Sequence, residues 1–207
     1  MKRKLAPAEV TAPLRLDLGC GKNKKPGFVG IDALKFDGVD EVLNLCSVWA
    51  DKVSWKTPDG KFIERTDLAG QFKPWPWKND SVDEVYSSHF IEHLSGPQRI
   101  HFFNELYRVL RKDAKATIIV PHWRSGRAYG DLTHQWPPVV EFFWYYLDKN
   151  WRAANAPHVP LLCDFACTWG YSLAHPWPLK NQEAQAFALN HYAEVAQDMI
   201  VTAAARK

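Results

Sequence analysis

The chain has 207 residues, a formal net charge of +3 at pH 7 and 46% hydrophobic residues. A length of this order suits one domain that buries roughly 70–75% of its unfolded surface, so neither disulfides nor a metal is needed for a core. So small and dispersed a charge gives no electrostatic argument for a nucleic-acid partner. Four cysteines (Cys20, Cys46, Cys163, Cys167) show no framework spacing, which points to a reduced, cytoplasmic protein. No apolar h-region follows the basic Met1-Lys2-Arg3-Lys4, so neither a signal peptide nor a membrane span is expected.

Residues 1–13 contain Pro7 and Pro13 and read as a loose arm ahead of a single domain over 14–207. Leu14, Leu16 and Leu18 alternate as a half-buried strand does, and the strand runs straight into Gly19-Cys20-Gly21. A second strand, 28–31, ends on Asp32. The connection between them is shorter than the dozen or so residues of a normal parallel crossover. Pro26 and Gly27 allow it one turn of helix at most. Further on, 39–45 and 61–67 are candidate strands, with Thr57-Pro58-Asp59-Gly60 as a turn.

Residues 74–81 are a loop, 82–87 a strand, and 88–94 a turn. Ser95-Gly96-Pro97 then starts an amphipathic helix with Ile100, Phe103, Leu106, Tyr107 and Leu110 at helical spacing. The strand 116–120 follows, ending at Pro121, and strand, helix and strand in this order argue for a parallel α/β sheet with right-handed crossovers. After an irregular, aromatic stretch, the pattern predicts a helix over 139–147 and a strand over 161–173 with Cys163, Phe165, Cys167 and Trp169 on one face. It ends with a helix over 182–197 and a strand over 199–204. The ten tryptophans read as core and loop packing, with an aromatic-walled pocket as the alternative.

A strand, a glycine turn and a second strand ending in a carboxylate outline a nucleotide-type cofactor site. Glycine lets a ligand approach the backbone closely, and the carboxylate can accept both ribose hydroxyls. The dinucleotide fingerprint fails twice: Lys24 stands where its third glycine belongs, and Asp32 follows Gly19 by 13 residues rather than roughly 20. What remains, Asp17-x-Gly19-x-Gly21, resembles motif I of the class I S-adenosylmethionine-dependent methyltransferases. The short run to Asp32 resembles a subset of them with the pattern GCGxNxxxGFxxID.

The resemblance covers most of residues 14–121 and, more loosely, the rest. It implies an α/β fold: a three-layer, doubly wound, mostly parallel seven-stranded sheet with an antiparallel C-terminal strand. It also implies S-adenosylmethionine as cofactor and methyl transfer to a small or medium acceptor. Cofactor contacts are then expected from Asp17, Leu18, Gly19, Cys20, Gly21 and Asn23, from Asp32 and Ala33 at the ribose, and from Ser88 and His89 beside the methionine part. Relative to the family, 44–66 looks like an insertion. Asn44 and Asp67 compete for the adenine side; Asp67-Leu68 is preferred because Phe72-x-Pro74-Trp75-Pro76-Trp77 follows it, as in the family.

Catalytic candidates are His122, Tyr129, Asp131 and His134, in a substrate-side segment 121–160 beyond the carboxyl end of a strand. Methyl transfer is an in-line displacement, so alignment supplies much of the rate, and an oxygen or amine acceptor has a proton to lose. A histidine suits that proton, and Asp131 could orient it; otherwise Asp131 caps a helix and His134 lies at the surface. Asp131-Leu132-Thr133-His134 resembles an Asp-Pro-Thr-His element of related methyltransferases.

Two rival readings remain. His89-Phe90-Ile91-Glu92-His93 matches the inverted zinc-protease pattern H-x-x-E-H. It abuts a strand, Ser95-Gly96-Pro97 cuts any helix to about one turn, and a third ligand is not evident, so no metal is expected. Glu92-His93-Leu94 resembles the family's E-H-L, which implies a structural role. The second rival is a regulatory module that binds the cofactor without transferring methyl. With no Asn-Pro-Pro-Tyr or Asp-Pro-Pro-Tyr signature and no cysteine after the fourth strand, DNA is disfavoured as acceptor; RNA and protein stay open.

Overall fold

The computed structural model describes residues 12–48, 53–56, 61–65 and 70–207, with the backbone alone for 53–56 and 62–65. The first strand, β1 (Arg15–Leu18), is buried on both faces, with Leu16 and Leu18 at 0% exposure and Asp17 at 1%, as a central parallel strand requires. Residues 19–28 join it to β2 (Val29–Asp32) without a helix. The amides of Gly19 and Cys20 both donate to the Ile31 carbonyl, at 2.8 and 3.1 Å. Asp17 Oδ2 accepts from the Lys25 amide at 2.7 Å. The loop is folded back by its own polar groups.

The expected strand 39–45 shrinks to β3 (Glu41–Val42), paired in parallel with β2. Asp40 and Asn44 explain the shortening, because their side chains accept from the Gly30 and Cys46 amides, at 2.7 and 2.9 Å, in competition with a ladder. Next, β4 (Val53–Lys56) and β5 (Phe62–Arg65) pair antiparallel in a sheet of their own. The chain re-enters the main sheet as β6 (Val82–Ser88).

The helix α1 (Gly96–Val109) starts where Gln98 Oε1 accepts from the Ser95 amide at 2.8 Å, with Pro97 in its first turn. Phe102, Phe103, Leu106 and Val109 are its fully buried face. Leu110 leaves the helix and opens β7 (Leu110–Pro121) with no loop between them. That strand begins six residues earlier than expected, because Leu110 pairs with Val82 before an irregularity that Asp113, at φ 62°, accommodates.

The helix expected over 139–147 is present over 141–147, as a 3-10 helix. Its buried pair, Trp144 and Leu147, stands three apart, which suits three residues per turn. A helix the sequence pattern did not announce follows, α2 (Lys149–Asn155), capped by Asp148 Oδ1 on the Trp151 amide at 2.8 Å. β8 (Phe165–Leu173) starts four residues later than expected, since backbone groups just before it bond to side chains. Cys163 O accepts from Arg152 at 2.8 Å, and the Leu162 amide donates to Asn104 at 2.7 Å. α3 (Gln182–His191) ends six residues early, at a turn in which Glu194 has φ 60°. β9 (Ala196–Ala205) closes the chain.

The main sheet has seven strands in the order β3-β2-β1-β6-β7-β9-β8. All run parallel except β9, which is antiparallel to both neighbours. This is the α/β class expected from the sequence. One contiguous core joins Leu16, Ile31, Val85, Phe103, Ile118 and Val201. Among the described residues no helix is long and apolar enough to cross a membrane.

The loop before β6 is tied to α1 by one polar network. Glu105 accepts from the Trp75 amide at 2.6 Å and from Arg108 Nη2 at 2.6 Å and Nε at 2.8 Å. Arg108 also donates to the Trp75 and Trp77 carbonyls, at 3.0 and 2.8 Å. Truncating Glu105 strands a buried amide and a half-buried cation, so Glu105→Ala is expected to lower the unfolding free energy by about 2–4 kcal/mol. Urea denaturation checks it, and a loss under about 0.5 kcal/mol would remove this network from the account.

Candidate active site

A cleft of about 400 Å³ opens at the carboxyl ends of β1, β2, β3 and β6, lined by Gly19, Asp32, Ala33, Asn44, Phe90 and His93 among others. Ligands of open α/β sheets bind at such strand ends. Gly19 has φ 72°, and a β-carbon there would lie 2.3 Å from Phe90 Cδ2. Glycine is therefore required twice, for the turn and for the ring that forms the cleft wall. Asp32 Oδ2 accepts from the Gly21 amide at 2.9 Å and Oδ1 from the Leu34 amide at 2.9 Å. A carboxylate has about four acceptor sites, so two remain for a ligand.

The expected cofactor residues divide by position. Gly19, Asp32 and Ala33 line the cleft. Asp17 and Leu18 lie beneath it, buried, with the Asp17 carboxylate taken by the Lys25 amide. They support the loop rather than face a ligand. Cys20 is buried, and its thiol is pushed up to about 11 by burial and by the carboxylates of Asp17 and Asp32, so it is a neutral packing group. Gly21 contributes its amide to Asp32, and Asn23 is exposed in the loop. Asp67 and Leu68 lie outside the described residues. The other adenine-side candidate, Asn44, is in the cleft. The lining also takes Leu45, Cys46, Leu94 and Gln98. Among these only Leu94 carried a sequence signal, the E-H-L element that also holds His93.

Ser88 ends β6 and His89 follows it. His89 adopts φ 53°, a left-handed conformation uncommon for a side chain of its size. Its ring faces Glu92 Oε1 at 3.3 Å and Asp198 Oδ1 at 3.7 Å. The Glu92 carboxylate raises the His89 pKa, against burial and with help from Asp198.

The four catalytic candidates do not converge. Tyr129, Asp131 and His134 share a shallow groove of about 350 Å³ with Trp136. The expectation that Asp131 orients His134 needs correction: Asp131 Oδ1 accepts from the Thr133 amide and hydroxyl, at 2.8 and 2.6 Å, and these hold its pKa down. His134 Nδ1 instead meets the Ala128 carbonyl at 3.0 Å.

His122 is in a different place. It is buried, its Nδ1 accepts from the Arg124 amide at 3.2 Å, and its Nε2 donates to Glu141 Oε1 at 3.0 Å. Trp123 Nε1 and the Tyr171 hydroxyl complete the shell of Glu141, at 2.9 and 3.1 Å. Burial pushes the Glu141 carboxyl up, but the His122 and Tyr171 bonds outweigh it and hold the pKa down to about 2. Glu141 and Tyr171 had no sequence signal, being 18 and 30 residues from the nearest partner.

Residues 16–118 match the family model for a methyltransferase domain. A stretch of 101 residues is 29% identical to cyclopropane mycolic acid synthase 3 of Mycobacterium tuberculosis, covering 47% of this chain and 34% of that protein. The match thus spans about a third of the length of that relative. Among solved structures, a SAM dependent methyltransferase from Archaeoglobus fulgidus superposes with TM-score 0.55 at 16% identity, over 93% of this chain and 86% of that one. The putative methyltransferase complexed with the Trm112 activator of Haloferax volcanii gives 0.50 at 16% identity, over 94% and 82%. Both share the fold.

Two outcomes follow from this geometry. Gly19→Ala must displace Phe90 and hold alanine at positive φ, so it should cost about 1–3 kcal/mol and reshape the cleft. Thermal unfolding checks the cost, and an unchanged midpoint would contradict the close approach. For Glu141 the folded pKa lies below the ordinary value near 4.5, so its contribution is present in full above that pH and is lost as pH falls toward 2. The stability gap between the chain and Glu141→Gln, on the order of 2 kcal/mol at neutral pH, should close over that window in pH-dependent urea titrations.

Proposed function

The chain belongs to the class I S-adenosylmethionine-dependent methyltransferases, and on that premise we propose that it methylates an oxygen or nitrogen acceptor, with His89 taking the acceptor's proton. The observation that carries this reading is that Gly19, Asp32 and Asn44 line one cleft at the strand ends, while His89 stands at the end of the adjoining strand β6. The residues fit the cofactor. The open carboxylate sites of Asp32 suit ribose hydroxyls, Asn44 suits the adenine side, and the glycine turn lets the chain pass close without a phosphate cradle.

When bound, S-adenosylmethionine supplies an electrophilic methyl on sulfur. The protein's part is alignment and proton management. Asp32 and Asn44 hold one end of the cofactor, and Phe90 and Leu94 wall the cleft against water. Glu92 and Asp198 bracket the His89 ring and stabilise its charged form, so the imidazole can take a proton as the new bond forms. The groove of Tyr129, Asp131, His134 and Trp136 is the acceptor side in this reading. DNA is not the acceptor we favour. Four free cysteines, three buried and one half-buried, suit a cytoplasmic setting.

Calorimetric titration with S-adenosylmethionine and S-adenosylhomocysteine should give micromolar binding that weakens at least about tenfold in Asp32→Ala, the loss of a charge-assisted bond. No binding to either ligand would sink the reading. In a radiolabelled methyl screen over phenols, alcohols and amines, transfer should fall about 10²–10⁴-fold in His89→Ala. Because the His89 pKa is raised, the active neutral form appears only above the ordinary value near 6.5, so the rate should climb with pH there. A pH profile unchanged in His89→Ala would assign the proton to another group.

A further inference from the structure

We propose that Glu92, His93 and His134 form a binding site for one divalent transition-metal ion. One ligand atom from each of the three lies within 4.8 Å of the other two. Zinc at about 2.1 Å from each needs them roughly 3.4 Å apart, so the side chains close inward on the ion. The two imidazoles already stack edge-to-face with centroids 4.7 Å apart.

Hydrogen bonds leave the same nitrogen open on both rings. His134 Nδ1 faces the Ala128 carbonyl at 3.0 Å, so it carries the proton and Nε2 keeps its lone pair. The Thr133 hydroxyl donates to Asp131 Oδ1 at 2.6 Å, so its oxygen accepts from His93 Nδ1 at 2.8 Å. Asp131, Thr133 and His93 thus form a carboxylate-hydroxyl-imidazole relay that leaves His93 Nε2 free. Metal-binding histidines are oriented this way, with the second nitrogen tied to a carbonyl or toward a carboxylate.

Glu92 supplies the independent observation. It is 4% exposed, and among the described residues neither carboxylate oxygen has a hydrogen-bond partner. A buried carboxylate left so is costly. The neighbouring cations offset its charge without hydrogen-bonding it: among the described residues, His89 Nδ1 stands 3.3 Å away as an ion-pair partner, and Arg99 directs its hydrogen bonds to the carbonyls of Ile91, Glu92, Gln135 and Pro137. Two imidazoles and one carboxylate are the donor set of zinc and non-haem iron sites and leave positions open for water or an acceptor oxygen. The set differs from the H-x-x-E-H reading, because His134 takes the place of His89.

The test is zinc titration of chelator-treated, full-length protein by calorimetry, with the visible spectrum of the cobalt form as a second readout. One equivalent should bind. His134→Ala should weaken affinity at least about 100-fold, and Thr133→Val, which touches no ligand atom of the ion, about 10–100-fold. S-adenosylmethionine binding by each variant reports its folding, and failure of the cofactor reading would show as no such binding in the unmodified chain. The absence of saturable zinc binding, or affinity that His134→Ala leaves unchanged, would overturn the site.

Discussion

One buried carboxylate does the work that a helix does in longer crossovers. Asp17, at 1% exposure, is desolvated, and burial raises its pKa against the pull of the Lys25 amide and the nearby lysines. Its bond to the Lys25 amide bends the chain back within residues 19–28. That bend lets β2 lie parallel to β1 and delivers Asp32 to the strand ends beside Gly19. Without it, the two halves of the cleft have no common frame. Two amides converging on the Ile31 carbonyl hold the same bend from above.

Where sequence and structure agree, the determinants are local. Leu16 and Leu18, the glycine turn, Asp32 and the capped helix beginning at Gly96 are each specified by a few consecutive residues. Where they part, a distant partner decided. The 3-10 helix at 141–147 turns Trp144 and Leu147 into the core, where Trp144 Nε1 meets Met199 Sδ across 55 residues, and the late start of β8 follows from Arg152 and Asn104 claiming the backbone ahead of it.

The same division holds in the site. Asp32 and Gly19 were legible because motif and geometry coincide there. The Asp131–His134 pairing was not, since a two-residue turn satisfies Asp131 through Thr133 before any histidine can compete. Nor does spacing reveal that His93 reaches Thr133 across 40 residues. The Glu141 shell has the same character, assembled from the two residues that follow β7, the 3-10 helix and β8.

Among the described residues, the cleft is lined by those between Gly19 and Gln98. The groove proposed for the acceptor runs from Ala128 to Pro138. The stretch matching the methyltransferase-domain family ends at residue 118, between the two. On the proposed reading, cofactor handling and acceptor choice are written on separate lengths of chain, joined through the strand β7. In evolutionary terms, the second length can be rewritten for a new acceptor while the first stays under its own constraint.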